Sequence, residues 1–218
     1  MGILDPVKPT ILAARIISNV DRGFAEKLEL KDHQRALALL TCDIDDSLYV
    51  ALDEATKFAE VDVVYAKSFY AGSAHASGPL SGEIIGILAG PTPAEVRAGM
   101  DAAIAYAEEE AWFYTADEAG ELAFFAHLIS STGSYLSEGA GIARGEPLAY
   151  LIAPPLEAIY ALDQAVKAAE VEMKEFYAPP SETNFAGGLL TGSQSACRAA
   201  CSAFQDGVLE VASNPRKY

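Results

Sequence analysis

Two stretches of the chain repeat the same spacing of apolar and polar positions. Residues 51–61 read ALDEATKFAEV and residues 161–171 read ALDQAVKAAEV, so eight of eleven positions are identical at a constant offset of 110 (163 − 53). In each copy a leucine and two alanines recur at helical spacing, which predicts a short helix whose inward stripe is mostly small. The stripes are Leu52, Ala55 and Ala59, and Leu162, Ala165 and Ala169. The chain is therefore an internal duplication.

The flanking pattern predicts the same order of elements in each copy. Residues 12–18 (LAARIIS) align with 124–130 (FFAHLIS), and residues 37–40 align with 147–150 just before the repeated helix. Each half reads as strand, loop, strand and helix. In the first copy a strand over 61–65, a loop rich in Gly, Ser and Ala over 71–82 and a buried strand over 83–89 follow.

The last element of each copy is a second helix with a recognisable start. Thr92 is its predicted N-cap in the first copy, Pro93 its first helical residue, and Glu95 closes a capping box. In the second copy the helix starts after Ser193. These elements predict an α+β fold of two domains, residues 1–109 and 110–218, each a mixed β-sheet flanked by short helices.

Composition and charge limit the range of possible functions. The 218 residues are 51% hydrophobic and 21% charged, which is typical of globular proteins, and the net charge of −16 argues against binding to nucleic acid or to anionic membranes. Three cysteines fit a reducing compartment. The start MGILDPVKPT carries no signal peptide pattern, and no stretch is long enough to span a bilayer. We expect a soluble, cytoplasmic protein.

The main asymmetry between the copies is acidic. Asp43, Asp45 and Asp46 of the first copy correspond to Ala153, Pro155 and Leu156 in the second. Glu83 likewise opens a strand whose counterpart opens near Asn184 or Phe185. Since the second copy folds without acids at these positions, the fold itself does not require them.

These acids are open to several interpretations. Grouped carboxylates can hold a metal ion, act as acid and base, or bind an organic ammonium, and a solvated turn is the plainest alternative. The run Trp112, Phe113 and Tyr114 can cover the methylene groups of a cation or serve as hydrophobic packing between the copies. Cys197 and Cys201 lie on an apolar helical stripe, which predicts core residues. No catalytic, zinc or nucleotide motif is present, so we expect no enzyme and no cofactor.

Several segments resemble one protein family in order along essentially the whole chain. Besides the repeated helices they include DIDDSLY, FYAGSAH, STGSYLS, APPLEA, PPSETN and LTGSQSAC. They are similar to the L-type shell proteins of the ethanolamine-utilisation bacterial microcompartment. The resemblance implies two tandem, circularly permuted microcompartment (BMC) domains. It also implies a structural role without enzymatic activity, in a shell that lies in the cytoplasm.

The same resemblance implies assembly and a pore. Three chains would form a homotrimer that is pseudohexagonal and tiles with other microcompartment shell proteins. Its central pore would transport metabolites across the shell. Loops around residues 67–78 and 177–185, which contain Phe69, Tyr70, His75 and Tyr177, would gate it.

A small ethanolamine site that favours the closed pore is also implied. By motif it would contain Asp45, Asp46, Glu83, Phe113 and Thr183, with no metal. The carboxylates would neutralise the ammonium, the ring of Phe113 would cover the carbon atoms and Thr183 would meet the hydroxyl. Two alternatives are a soluble regulatory protein that binds small cations and has no shell role, and a metal-dependent hydrolase built on Asp43, Asp45 and Asp46.

Overall fold

The computed structural model describes residues 2–69, 78, 80–179, 181 and 184–217. Within these residues the strands are β1 (Pro6–Val7), β2 (Ile11–Ile17), β3 (Ala36–Cys42), β4 (Asp62–Ser68), β5 (Ile84–Gly90), β6 (Phe113–Thr115), β7 (Ala123–Ile129), β8 (Leu148–Ala153), β9 (Val171–Tyr177) and β10 (Ala186–Gly192). The helices are α1 (Arg22–Lys27), α2 (Asp45–Phe58), α3 (Pro93–Glu109), α4 (Ser134–Ala140), α5 (Pro155–Ala168) and α6 (Gln194–Ser213).

The chain divides into two compact units. The first unit consists of Lys8–Ala111 with Gly133–Leu136, and the second unit consists of Met1–Val7, Trp112–Thr132 and Ser137–Tyr218. Each unit therefore includes a short segment from outside its own main stretch of chain. The division into domains 1–109 and 110–218 stays a prediction from the sequence repeat.

The two units contain sheets with the same strand order. In the first unit the order is β2-β3-β5-β4, and in the second it is β1-β6-β7-β8-β10-β9. The last four strands of the second sheet thus repeat the first, with β7, β8, β10 and β9 in the places of β2, β3, β5 and β4. This repetition, with a pair of helices on each sheet, agrees with the α+β fold and the duplication predicted from sequence.

The prediction of mixed sheets was wrong. All ladders between the described strands are antiparallel. The reason is the position of β5. β3 and β4 run in the same direction around α2, but β5 lies between them and pairs antiparallel with both. β10 separates β8 from β9 in the same way.

The alignment of the second strand in each copy also needs a correction of one residue. The equivalent residues Ala14 and Ala126 pair with Leu40 and Leu151 respectively. Leu40 therefore corresponds to Leu151, whereas the sequence alignment matched residues 37–40 with 147–150. The chain between strand and helix is one residue shorter in the second copy, and the repeated helices keep the offset of 110.

In the first unit, α2 and α3 cover one face of the sheet. Leu52 and Ala55 of α2 are fully buried, together with Val96 and Ala103 of α3. The second unit repeats this packing with α5 and α6, whose cysteines are core residues, as predicted. Small side chains on the inner stripe let each helix lie close to its sheet.

The predicted second helices begin where expected. The Thr92 hydroxyl accepts a hydrogen bond from the Glu95 N–H at 3.2 Å, and Ser193 caps α6 in the same way through the N–H of Ala196. The capping box was only half right. The Glu95 carboxylate accepts a bond from the N–H of Glu60 at 2.8 Å, so it ties α3 to the turn after α2.

Overpacking the small stripe should be costly. Ala55 is completely buried, so Ala55→Leu is expected to lower the free energy of unfolding by about 1–3 kcal/mol. Ala168, on the repeated helix α5, is exposed, and the same substitution there should change the stability by less than about 0.5 kcal/mol. Urea denaturation of both variants measures the difference. Equal midpoints would show that packing on this stripe is loose.

Candidate functional site

Two predicted acids open helix α2. Asp45 and Asp46 are its first two residues and are only 7% and 6% exposed. A helix N-terminus favours negative charge because its first N–H groups lack partners within the helix. Asp45 Oδ1 accepts a bond from the N–H of Asp46 at 2.9 Å, and Oδ2 accepts one from the Ser68 hydroxyl at 2.8 Å. The end of β4 therefore fixes the orientation of Asp45.

Asp43 lies in the turn between β3 and α2. Its Oδ1 accepts a hydrogen bond from the N–H of Thr10 at 2.6 Å, so the carboxylate joins this turn to the segment before β2. Asp43 therefore comes closest to the predicted turn residue, and its carboxylate makes a structural hydrogen bond. Asp45 and Asp46 are buried, so the interpretation as a solvated turn does not fit them.

Glu83 stands between the ends of two strands. Its N–H donates to the carbonyl of Cys42 at 2.8 Å, and its own carbonyl accepts from the N–H of Phe69 at 2.9 Å. Gly82 precedes it with φ +67°, a left-handed conformation that suits glycine. These bonds bring Glu83 to the acids around the start of α2.

The acids act on each other electrostatically. Partial burial raises the pKa of Glu83, and the negative charges of Asp45 and Asp43 raise it further. The ionised form of Glu83 is therefore disfavoured in the folded protein. A positive charge placed among these side chains would relieve the repulsion, so the group is suited to a cation.

Neutralising Glu83 should stabilise the unliganded protein. Because the pKa of Glu83 is raised in the folded protein, the contribution of this group to the free energy of unfolding is fully present below its pKa in the unfolded chain. That contribution is lost as pH rises through the folded-state pKa. Glu83→Gln is therefore expected to raise Tm at neutral pH, and the gain should disappear near about pH 4, where the native glutamate is protonated too. Thermal unfolding at both pH values tests this. A gain that does not change with pH would contradict the electrostatic explanation.

The second unit has no acids at the corresponding places. Pro155 and Leu156 open α5 where the aspartates open α2. Gly86 pairs with Leu40 and Gly188 pairs with Leu151, so counting back three residues from each glycine matches Glu83 with Phe185. The predicted asymmetry between the copies is therefore present in the folded chain.

Phe113 belongs to the second unit and is 4% exposed in β6. Its ring stacks on Phe125 with centroids 4.9 Å apart and lies 6.3 Å from the ring of Phe185. Hydrophobic packing thus accounts for part of its role. Thr183 lies outside the described residues.

Two of the four predicted gating residues are described. Phe69 follows β4, is half-buried and donates its N–H to Glu83. Tyr177 ends β9, pairs with Gly187 and is half-buried, with its ring 6.2 Å from that of Tyr150. Tyr70 and His75 lie outside the described residues.

Two residues that make buried hydrogen bonds in the first unit were not predicted from the sequence. Ser68 anchors Asp45, and a polar residue at the end of a strand gave no signal of that contact. Asp53 is shared by both repeats, yet it is 1% exposed in the first unit and binds the N–H groups of Gly133 and Leu136. Identity between repeats suggested a plain scaffold residue, and only the chain fold reveals this bond.

Among the described residues no group of three or more His, Cys, Asp or Glu side chains could hold a metal ion.

Comparison with known proteins places this geometry in a family. Residues 36–116 match the BMC domain family. The shell protein EutL of Clostridium perfringens is 60% identical over 211 residues, which cover 97% of both chains. The chain belongs to the EutL family of bacterial microcompartment shell proteins. The crystal structure of EutL from Leptotrichia buccalis, 59% identical, covers 100% of both chains with a TM-score of 0.97.

Membership of the EutL family decides between the alternatives. The chain is a structural component of a microcompartment shell, which excludes the regulatory protein without a shell role, and the family is not one of enzymes. The trimeric shell protein PduB shares the fold at 19% identity, with a TM-score of 0.77 over 94% of this chain and 89% of that one. None of the helices in the described parts of this EutL-family chain is long and apolar enough to cross a membrane.

Proposed function

We propose that this EutL-family chain forms a homotrimeric, pseudohexagonal shell tile with a gated central pore and an ethanolamine site that favours the closed pore. The observation that carries the ligand part is the proximity of Glu83 to Asp45 in the first unit, with Asp46 next to Asp45 in α2, at positions that are apolar in the second unit. This asymmetry supports one site per chain. Two EutL relatives match this chain over nearly its whole length, and the one from Leptotrichia buccalis is an ethanolamine utilization protein.

Ethanolamine matches the chemistry of these acids. It is a small cation at neutral pH, and charge-assisted hydrogen bonds from its ammonium group to carboxylates are stronger than neutral ones. Asp45 is held in place by Ser68, so little ordering is needed on binding. Phe113 and Thr183 remain in the proposal as the residues that cover the carbon atoms and meet the hydroxyl.

The proposed link to the pore sets a thermodynamic condition. A ligand shifts an equilibrium only by its difference in affinity for the two states, about 1.4 kcal/mol for each tenfold change in population. Ethanolamine must therefore bind the closed form more tightly. Within the first unit, Phe69 links a proposed gating residue to the proposed site, because its N–H donates a hydrogen bond to the carbonyl of Glu83.

Removing one carboxylate should weaken binding. Asp45→Asn is expected to raise the Kd for ethanolamine at least about tenfold, because a charge-assisted bond is worth more than about 1.4 kcal/mol. The matched control is Glu157→Gln, which neutralises the first-turn acid of α5 in the second unit and should leave Kd unchanged. Isothermal titration calorimetry measures both. Equal affinities for the Asp45 variant and the native protein would refute the site.

Assembly is tested separately from binding. Electron microscopy and analytical ultracentrifugation of the purified protein are expected to show trimers, and sheets of trimers when the protein is concentrated. A monomer in solution at micromolar concentration would refute the proposed tile and leave the binding measurement intact.

A further inference from the structure

The first turn of α4 covers one face of α2 in the first unit. Asp53 of α2 accepts hydrogen bonds from the N–H groups of Gly133 and Leu136. The ring of Tyr135 stacks on the ring of Tyr49 with the centroids 6.4 Å apart, and Leu136 is only 6% exposed. In sequence α4 belongs to the second repeat, so a helix of one repeat is covered by a segment of the other.

Helix α1 is the counterpart of α4 in the first repeat. α1 begins five residues after the end of β2, and α4 begins five residues after the end of β7, so the two helices correspond at an offset of 112 (134 − 22). Phe24 of α1 is therefore the equivalent of Leu136. No residue of α1 is buried, and Phe24 is 44% exposed. The first repeat thus presents an apolar ring at the position where the second repeat covers a helix.

The face of α5 that corresponds to the covered face of α2 is exposed. Leu156, Ile159 and Tyr160 are between 38% and 62% exposed, although all three are large and apolar or aromatic. Together with Asp163 they follow one side of the helix at helical spacing and are here called the α5 face. At the offset of 110, Asp163 stands where α2 has Asp53. Exposed apolar side chains grouped in this way mark a surface for a protein partner.

The charges of α1 and of the α5 face are complementary. α1 carries Arg22 and Lys27 beside Phe24, and the side chain of Arg22 is almost fully exposed. The α5 face carries the largely exposed Asp163. Cations are scarce in this chain, which has 15 Lys and Arg against 31 Asp and Glu, so α1 is well suited to an acidic surface.

The backbone hydrogen bonds of α1 differ from those of α4. Asp21 accepts bonds from the N–H groups of Gly23 and Phe24 at 2.9 and 3.2 Å, so the first turn of α1 is capped within its own chain. Asp163 is therefore not needed as a cap for α1, and its carboxylate can accept Arg22. A contact between α1 and the α5 face would depend on apolar packing and an ion pair.

We propose that the first turn of α1 in one molecule covers the α5 face of another molecule of the same chain, with the ring of Phe24 on Leu156 and Ile159. This inference rests on the proposed trimer and names the two surfaces that build it. The surfaces differ, so the contact is head-to-tail and closes into a ring. In that ring the contact of α4 with α2 within a chain alternates with the contact of α1 with α5 between chains.

Chemical cross-linking tests which surfaces meet. Gly23 and Ile159 are the equivalents of the stacked Tyr135 and Tyr49, so the variant with Gly23→Cys and Ile159→Cys should place two thiols close together across the contact. The native cysteines are buried. A short bismaleimide is expected to link two and three chains, seen on a denaturing gel.

The matched control moves one thiol along the same helix. Ala168 is exposed and lies nine residues beyond Ile159 in α5, about 13 Å away at 1.5 Å per residue. The variant with Gly23→Cys and Ala168→Cys should therefore give no linked chains under the same conditions.

A charge placed on α1 tests whether the contact holds the assembly. Phe24→Asp is expected to raise the dissociation constant of the trimer at least about tenfold, because a carboxylate would be buried against an apolar surface. Phe58→Asp is the control, since Phe58 is an exposed phenylalanine at the end of α2 and should leave the trimer unchanged. Sedimentation velocity over a concentration series measures both variants.

The proposal requires both results. Native trimers that give no links between positions 23 and 159, or that assemble equally well with Phe24→Asp, would overturn it and assign the α5 face to a different partner, while the trimer stands. Equal linking by the control pair or equal weakening by Phe58→Asp also overturns it. A native chain that remains a monomer refutes the proposed trimer, and this inference with it.

Discussion

Replacing Asp53 by alanine is expected to lower the free energy of unfolding by about 3 kcal/mol, because two buried backbone donors lose their partner at about 1–3 kcal/mol each. Asp53 accepts bonds from the N–H of Gly133 at 2.6 Å and of Leu136 at 2.8 Å. These donors belong to the start of α4, where a helix has no partners of its own for them. The adjacent Thr56 hydroxyl accepts from the N–H of Ser134 at 2.9 Å.

The repeat supplies the control for this experiment. Asp163 is the equivalent residue of the second copy, but it is largely exposed and pairs with Lys167 at 2.5 Å. Asp163→Ala should cost less than about 0.5 kcal/mol, as exposed ion pairs contribute little. Urea denaturation of both variants gives the comparison. Equal losses in the free energy of unfolding would show that the buried hydrogen bonds of Asp53 stabilise the protein no more than the exposed ion pair of Asp163 does.

A third variant separates charge from hydrogen bonding at this position. Burial raises the pKa of Asp53 more strongly than the bonds from Leu136 and Gly133 and the charge of Lys57 lower it. The folded state therefore disfavours the ionised carboxylate. Asp53→Asn keeps one acceptor oxygen without the charge, so it should lose less stability than Asp53→Ala. A loss as large as that of alanine would show that both acceptor oxygens are needed.

Gly82→Ala is expected to cost about 3 kcal/mol or more, the second large effect, by combining backbone strain of about 1–2 kcal/mol with a steric overlap. The residue has φ +67°, and a Cβ there would collide with the backbone carbonyl of Cys42. Neither group can move without breaking the bond between Cys42 and Glu83, so the variant should also weaken ethanolamine binding. Thermal unfolding and calorimetry measure the two effects.

Gly141 is the matched control for strain alone. It has φ +62°, and beyond its own chain neighbours no atom lies within 4 Å of the place where a Cβ would stand. Gly141→Ala should therefore cost only about 1 kcal/mol and leave binding unchanged. If both glycine variants lose the same stability, the overlap with Cys42 is absorbed by the surrounding chain.

Most of the fold could be predicted from the sequence because the same pattern of apolar and polar positions occurs in both repeats. The identical spacing in the two copies established the helices α2 and α5, and Thr92 and Ser193 marked the starts of α3 and α6. It did not predict that β5 lies between β3 and β4, since strand order depends on contacts between distant residues and leaves no local pattern. The directions of strand pairing depend on the same distant contacts, and the expected mixed sheets were wrong.

For the site, comparing the copies was more informative than any motif. It identified the acids at the start of α2 and at Glu83 as dispensable for folding, and the structure brings them to the same edge of the first unit. Ser68 escaped notice because its bond to Asp45 spans a separation of 23 residues. Asp53 escaped notice for the opposite reason, since a residue retained in both repeats offered no contrast.

Linking two diverged repeats in one polypeptide changes what a point mutation does to a ring. In a ring of identical subunits, every substitution appears at all six equivalent positions, and a harmful one has no unaffected neighbour. In the proposed trimer, a substitution at the start of α2 would alter alternate positions and leave those at the start of α5 as they are. Fusion thus lowers the symmetry from sixfold to threefold, which lets recognition evolve in one repeat while its neighbour continues to hold the shell closed.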